Sequence, residues 1–400
     1  MLMDWIKIEK RFIRFPWRTL LVVSLAVLTS CTLPQVSAED RIFLPLQAEL
    51  LDVVTLPPQV FEETLVGGLS ALTYDAPRNV FYALSDDRGR FAPPRFYTLE
   101  FVTNTNTSDV PRIESVRVVK VTSLKDETGN EYPRDRLDPE GMVLSPRSSL
   151  FISSEGVVAT NSPPALNEYD LQSGTLKNQF RLPARYLPTA ASDEPDESDA
   201  PQGIRDNQGF EALTLGPASS AGAFEPFRLF VATESALAQD FNEDPAEPLT
   251  NRFLHYLLGP DQATLISEHA YPLSLEPMGA ISNGLTELLA IDQGGHFLTL
   301  ERVYGIRGFE IKLFQIATGG ATDISTLNQL SSLEGIIPIQ KQLLLDFSTL
   351  EPPVNAVDNL EGMTLGPPLP DGSASLWIIS DDNFSEEQAT QIWLFRLTTT

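Results

Sequence analysis

Glu140, Glu211, Glu287 and Glu361 recur along the chain at steps of 71, 76 and 74 residues, each inside a short signature of glycine and apolar residues. After a turn, each signature is followed by an apolar run that ends in acids. Pro139-Glu140-Gly141-Met142 leads to Leu150-Phe151-Ile152-Ser153-Ser154-Glu155, and Gly209-Phe210-Glu211-Ala212-Leu213 leads to Leu229-Phe230-Val231-Ala232-Thr233-Glu234. Gly284-Leu285-Thr286-Glu287-Leu288 precedes Phe297 to Glu301, and Leu360-Glu361-Gly362-Met363 precedes Leu376 to Asp382. A fifth copy, Gly68-Leu69-Ser70-Ala71-Leu72, runs into Phe81 to Asp87. Carboxylates gathered at one place attract hard cations that take oxygen ligands, Ca²⁺ first and Mg²⁺ second. Such a cation can polarise a bound oxygen and acidify an attacking water.

The metal-ligand candidates are therefore Glu140, Glu211, Glu287, Glu361, Asp86 and Asp381, with Asp87, Glu155, Glu234, Glu301 and Asp382 behind them. Glu140, Glu211 and Glu361 are also the catalytic candidates. Arg88, inside Ser85-Asp86-Asp87-Arg88-Gly89, and Arg302, beside Glu301, stand next to motif acids and could grip the oxygens of an anionic substrate, and Arg136 and Lys341 are further choices. The alternative for the acids is that they cap turns and accept from backbone N–H groups. For each arginine it is a salt bridge to a neighbouring carboxylate.

Five copies of one unit point to a repeat architecture in which each unit buries its faces against its neighbours. The runs between signatures read as strands, for example Arg117-Val118-Val119-Lys120-Val121 and Gln391-Ile392-Trp393-Leu394-Phe395, separated by Gly, Pro, Asn and Asp clusters. Thirty-one prolines and the lack of a long 3.6-residue period argue against helices. The expectation is an all-β protein, a β-propeller over residues 43–400, in which an acid at a matching point of every blade faces the central channel. The steps exceed the about 40–50 residues of a standard blade, so each carries one blade with long loops or part of a second, and allowing for degenerate blades the roughly 360 residues divide into six, with five or seven left open. A near-copy, Leu333-Glu334-Gly335-Ile336, stands outside the rhythm. An acidic, Pro/Ser-rich insertion at 189–209 and a smaller one at 239–248 read as surface loops.

The net charge of −26 understates the acidity of the folded part, because residues 1–30 carry Lys7, Lys10, Arg11, Arg14 and Arg18 against Asp4 and Glu9. Without them the net charge is −29. Such a surface repels nucleic acid and favours cations. Residues 1–38 read as an export leader, a basic start followed by the apolar run Leu20 to Leu28. Two endings compete, a lipobox-like Leu28-Thr29-Ser30-Cys31, which would place a lipid anchor at Cys31, and a small-residue cleavage site at Val36-Ser37-Ala38. Either places the protein outside the cytoplasm, in a periplasm, anchored to an outer membrane or secreted. Cys31 is the only cysteine, so the folded part has no disulfide and no thiol chemistry. A monomer is expected.

Other chemistries find less support. No Gly-x-Ser-x-Gly elbow is present, since Gly68-Leu69-Ser70-Ala71-Leu72 lacks its last glycine. His255, His269 and His296 have no signal tying them to a serine and an acid, and read as packing or surface residues. Paired carboxylates for glycoside hydrolysis stay open, although adjacent acids on a strand face opposite ways.

Gly67-Gly68-Leu69-Ser70-Ala71-Leu72, Ser85-Asp86-Asp87-Arg88-Gly89, Asp138-Pro139-Glu140-Gly141-Met142, Gly209-Phe210-Glu211-Ala212-Leu213, Leu300-Glu301-Arg302, Asp358-Asn359-Leu360-Glu361-Gly362-Met363 and Ser380-Asp381-Asp382-Asn383 follow one another in a family's order. As a set they resemble the phytase-like family described as having "esterase-like activity of phytase", from about Leu65 to the C-terminus. The resemblance implies a secreted β-propeller with repeated Glu and Asp residues that hydrolyses phosphate esters. With a net charge of −29, a small monoester or diester is a better fit than a highly anionic one. The alternative function is a non-catalytic propeller that binds a partner and uses its acids as structural ion sites.

Overall fold

A computed structural model describes residues 42–104, 110–189, 201–217, 225–242, 247–259, 262–275, 277, 279–330, 332–350 and 357–399. The expected leader at 1–38, with Cys31, and residues 190–200 of the acidic insertion lie outside the described residues. Phe43–Thr400 forms one compact unit.

Five four-stranded antiparallel sheets make five blades, which corrects the expected six. Blade 1 runs Leu69–Asp75, Val80–Ser85, Arg95–Thr103 and Ile113–Ser123 from the centre outward. Blade 2 runs Pro139–Leu144, Ser149–Ser154, Ala165–Asp170 and Leu176–Phe180. Blade 3 runs Phe210–Leu215, Phe227–Thr233, Thr250–Leu258 and Ala263–Pro272, and blade 4 Ala280–Ala290, His296–Gly305, Gly308–Ala317 and Gln340–Asp346. Blade 5 takes Asn359–Leu365, Ala374–Asp381 and Gln391–Thr399 from the C-terminal end, and its outer strand, Leu46–Thr55, from the other end of the chain.

The blade count falls because the chain leaves the sheets in long excursions, whose length the apportioning of about 360 residues assigns to a sixth blade. Residues 124–138, and the described residues 181–189 and 201–209, lie between one outer strand and the next inner strand. The described residues 318–330 and 332–339 stand between two strands of blade 4 and reach the outer edge of blade 3, where Ile324 and Ile339 N–H donate to the Glu268 and Ala270 carbonyls. That covers an edge which would otherwise expose unpaired backbone groups. The near-copy at 333–336 belongs to this excursion, and Glu334 is exposed there.

Alternation along the second strands explains why their sequences are apolar on both faces. In blade 1, Phe81 and Ala83 pack toward blade 5 while Tyr82 and Leu84 pack toward blade 2. Leu376 and Ile378 of blade 5 face blade 4, and Trp377 and Ile379 face blade 1. With period-2 side chains, a strand sandwiched between two blades must be apolar throughout. Five such inter-blade layers close the ring. The outer strand Ile113–Ser123 instead mixes buried and exposed residues.

Candidate functional site

In each blade the first two strands form an antiparallel pair, so the start of the inner strand and the end of the second strand meet at the same mouth of the channel. The inner strand carries a register shift just there: between Leu69 and Ala71, Pro139 and Met142, Phe210 and Ala212, Leu285 and Glu287, and Leu360 and Gly362. A bulge re-aims the extra residue away from the ladder. The residues at this point are Ser70, Glu140, Glu211, Thr286 and Glu361. Leu69, Pro139, Phe210, Leu285 and Leu360 pair with Ser85, Ser154, Thr233, Glu301 and Ser380, so the residues that follow the second strands' partners are Asp86, Glu155, Glu234, Arg302 and Asp381.

The mouth therefore holds two stacked sets of side chains, completed by Asp138 one residue before the inner strand of blade 2. Ligand oxygens of Asp86, Asp138 and Glu140 lie within 4.8 Å of one another, as do those of Glu155, Glu211 and Glu234. All six are buried except Asp86, which is half-buried. Gly284 makes room for this, since a Cβ there would come within 2.3 Å of Glu234 Oε1. Gly209 N–H donates to Glu155 Oε1 at 2.7 Å, and Asn359 Nδ2 donates to Glu361 Oε1 at 2.8 Å.

Two guanidiniums stand against these acids. Arg302 Nη2 donates to Glu234 Oε1 at 2.6 Å and its Nη1 lies 3.8 Å from Glu361 Oε1. Arg88 Nη1 lies 3.4 Å from Asp138 Oδ2 and its Nη2 is 3.5 Å from Asn207 Oδ1, with over a third of its side chain exposed. Asp138 is buried and its Oδ2 accepts no hydrogen bond.

Burial pushes Asp86 up to about 6, with Arg88 opposing. It pushes Asp138 to about 8, reinforced by Asp86, and Glu361 to about 7 against the pull of Arg302. Burial and then neighbouring carboxylates hold Glu140, Glu155, Glu211 and Asp381 well above the ordinary carboxylate range. Desolvation and like-charge crowding both favour the neutral form, so the mouth in this state retains protons that a cation would displace.

Of the residues read from the sequence, Glu140, Glu211, Glu361, Asp86, Asp381, Arg88 and Arg302 come together at the mouth, and Glu155 and Glu234 join them. Glu287 stands apart: its Oε1 accepts from Leu288 N–H at 2.9 Å and from Leu213 N–H of blade 3 at 3.2 Å. Glu301 is turned to Tyr271, Ser274 and Lys341. Asp87 pairs with Arg95 at 2.8 Å, both side chains fully buried, and Asp382 accepts from Gly68 and Phe384 N–H. Arg136 is exposed, on the loop that precedes blade 2. His255 is stacked on Phe230, and burial lowers it to about 4. Asp138 was missed as a ligand, although it stands two residues before Glu140 in a quoted motif.

The structures similar to this chain are distant. The Dos1 propeller matches at 10% identity and a TM-score of 0.31, over 82% of this chain and 68% of that one. A Coprinopsis cinerea GH62 α-L-arabinofuranosidase catalytic domain matches at 9% and 0.38, over 89% and 97%, and a Bombyx mori GH32 β-fructofuranosidase at 10% and 0.36, over 96% and 66%. Scores this low carry no argument about this chain. No curated protein matches. The family described as "Phytase-like: Esterase-like activity of phytase" matches residues 64–384, which takes in blades 1 to 4, the two inner strands of blade 5 and the whole mouth, and the chain belongs to that family.

Proposed function

We propose that the protein is an extracytoplasmic esterase of small phosphate mono- or diesters that works with a hard divalent cation, Ca²⁺ first and Mg²⁺ second, at the mouth of the propeller. The observation that carries this reading is the imbalance of charge: eight carboxyl groups (Asp86, Asp138, Glu140, Glu155, Glu211, Glu234, Glu361 and Asp381) meet two neighbouring guanidiniums. Asp138 Oδ2, buried, accepting no hydrogen bond and met by Arg88 Nη1 at 3.4 Å, is the kind of oxygen a cation satisfies. Asp86, Asp138 and Glu140 would hold the ion. When bound, a divalent cation supplies Lewis acidity and an acidified water.

The chain's own residues supply the rest. Arg88, loosely paired and partly exposed, is free to turn its fork to the non-bridging oxygens of the ester. Arg302 is held against Glu234 and offsets the mutual repulsion of the carboxylates on that side of the mouth. Glu211 and Glu361, buried among the other mouth carboxyls, would take or return a proton during the reaction. The acidity of the whole domain is locally offset, because the adjacent loops carry Arg88, Arg90, Arg134 and Arg136, and Asp135 N–H donates to Arg88 O across them. The leader-like composition of residues 1–38 supports a site of action outside the cytoplasm.

The test is hydrolysis of chromogenic phosphate monoester, phosphodiester and carboxyl ester with Ca²⁺, Mg²⁺ or chelator, using the folded chain and its Asp138→Asn and Glu140→Gln variants. Cation-dependent turnover of a phosphate ester, lost in both variants, is expected. No turnover above background with either ion overturns the reading and leaves a binding propeller.

A further inference from the structure

Two loops that continue directly from mouth carboxylates carry an aromatic pair for which the reaction above has no use. Phe91 lies five residues after Asp86 and Phe384 three residues after Asp381. Their ring centroids are 4.5 Å apart at 32°. Phe91 is 45% exposed, and the Arg90 guanidinium lies 4.8 Å from the centre of its ring. Arg90 has no ion-pair partner among the described residues.

Both loops are held with unusual firmness. The Asp87 carboxylate accepts from Arg90 N–H at 2.6 Å, from Phe91 N–H at 3.2 Å and from Ala92 N–H at 2.9 Å, and is itself clamped by buried Arg95. Opposite, Asn383 and Phe384 adopt φ of 48° and 52°. A bulky side chain rarely takes the left-handed region, and such strain persists only where the surroundings enforce it. Here Asp381 and Asp382 enforce it by accepting from the Asn383 and Phe384 N–H groups. Gly68 completes the fit, since a Cβ there would come within 2.5 Å of the Phe384 ring. An aromatic ring only partly covered, rigidly held, next to a cationic guanidinium and to the proposed ion ligands, fits a ligand with a flat apolar face and negative charge.

We infer that Phe91, backed by Phe384 and flanked by Arg90, is the subsite for the organic part of the ester, and that it selects phosphate esters whose alcohol is a ring, Arg90 pairing with a second anionic group on that ring. The inference rests on the phosphoesterase reading for its phosphate end, but its ring end is measured without hydrolysis.

The experiment is calorimetric binding of methylphosphonate, phenylphosphonate and 4-phosphonobenzoate to the full chain in Ca²⁺, with Phe91→Ala, Phe91→Tyr and Arg90→Gln variants, alongside turnover of the matching phosphates. Phenylphosphonate is expected to bind about tenfold more tightly than methylphosphonate. Phe91→Ala should remove that advantage and Phe91→Tyr keep it, while Arg90→Gln should lower affinity for 4-phosphonobenzoate alone. Equal binding of the methyl and phenyl compounds, or an equal loss for both in Phe91→Ala, overturns the subsite even where phosphate esters are hydrolysed. A ring preference that depends on Phe91, in a protein that hydrolyses no phosphate ester, upholds the subsite and overturns the esterase reading.

Discussion

Arg302 of blade 4 donates to Glu234 of blade 3 at 2.6 Å, and it does so from the position where the other four blades place Asp86, Glu155, Glu234 and Asp381. One blade in five thus answers the others' carboxylates with a guanidinium. The same blade supplies Thr286 where three others place glutamate, and the Thr286 hydroxyl donates to the Leu360 carbonyl of blade 5 at 3.2 Å. Blade 4 contributes none of the eight mouth carboxyls, while blades 2 and 3, with Asp138 just before blade 2, supply five, blade 5 two and blade 1 one.

Replacing Arg302 by glutamine leaves Glu234 and Glu361 buried without their counter-charge. A loss of about 3 kcal/mol in stability is expected in chelator, read by urea unfolding, and Ca²⁺ should recover part of it. An unchanged midpoint in chelator would mean that these carboxyls are neutral irrespective of Arg302.

Stability without metal should fall as pH rises. Asp86, Asp138 and Glu361 titrate near 4 when unfolded and at about 6, 8 and 7 when folded. Between pH 4 and pH 8 the folded state thus binds more protons than the unfolded one, and the sign of the linkage makes unfolding easier with each step upward. One unit of displacement corresponds to about 1.4 kcal/mol. Thermal melts in chelator across this range should show a declining midpoint, and saturating Ca²⁺ should flatten the decline. A midpoint that rises from pH 5 to pH 8 in chelator would contradict the protonation described for the mouth.

Glu287 should separate from the other glutamates by phenotype. Its replacement by alanine strips an acceptor from two buried backbone N–H groups, at a cost of about 2 kcal/mol, while Ca²⁺ affinity stays unchanged. Glu140→Gln should do the reverse. Paired denaturation and Ca²⁺ titration of the two variants reads both effects.

Gly141 leaves no space for a side chain, since a Cβ would meet the Glu211 carbonyl of blade 3 at 2.2 Å. Gly141→Ala forces two inner strands apart and should destabilise by about 2–3 kcal/mol, measured as a shift in the urea midpoint. A shift below about 0.5 kcal/mol would mean the inner strands have slack.

The five signatures were legible because every blade needs the same things at its mouth: a tight turn, a bulged polar residue and an apolar strand behind it. Blade number was misjudged because excursions such as 318–339 add length without adding a blade. Glu287 and Glu301 looked like members of the series because the eye aligns acids with acids. The register aligns Thr286 with Glu211, and Arg302 with Glu234, and a one-residue offset on a strand turns a side chain to another face. The Arg302 pair, by contrast, depends on two blades about seventy residues apart in sequence, and no local pattern announces it.

Leu46–Thr55 pairs along nearly its whole length with Gln391–Thr399, so the first strand of the propeller has no partner until the last is made. Through the synthesis of the intervening blades it must wait as an open edge, and the carboxylates contributed by blade 5 are not locked in place until that late pairing occurs. The slow step in this protein's maturation should then be the meeting of its two ends, with the mouth completed in the same event.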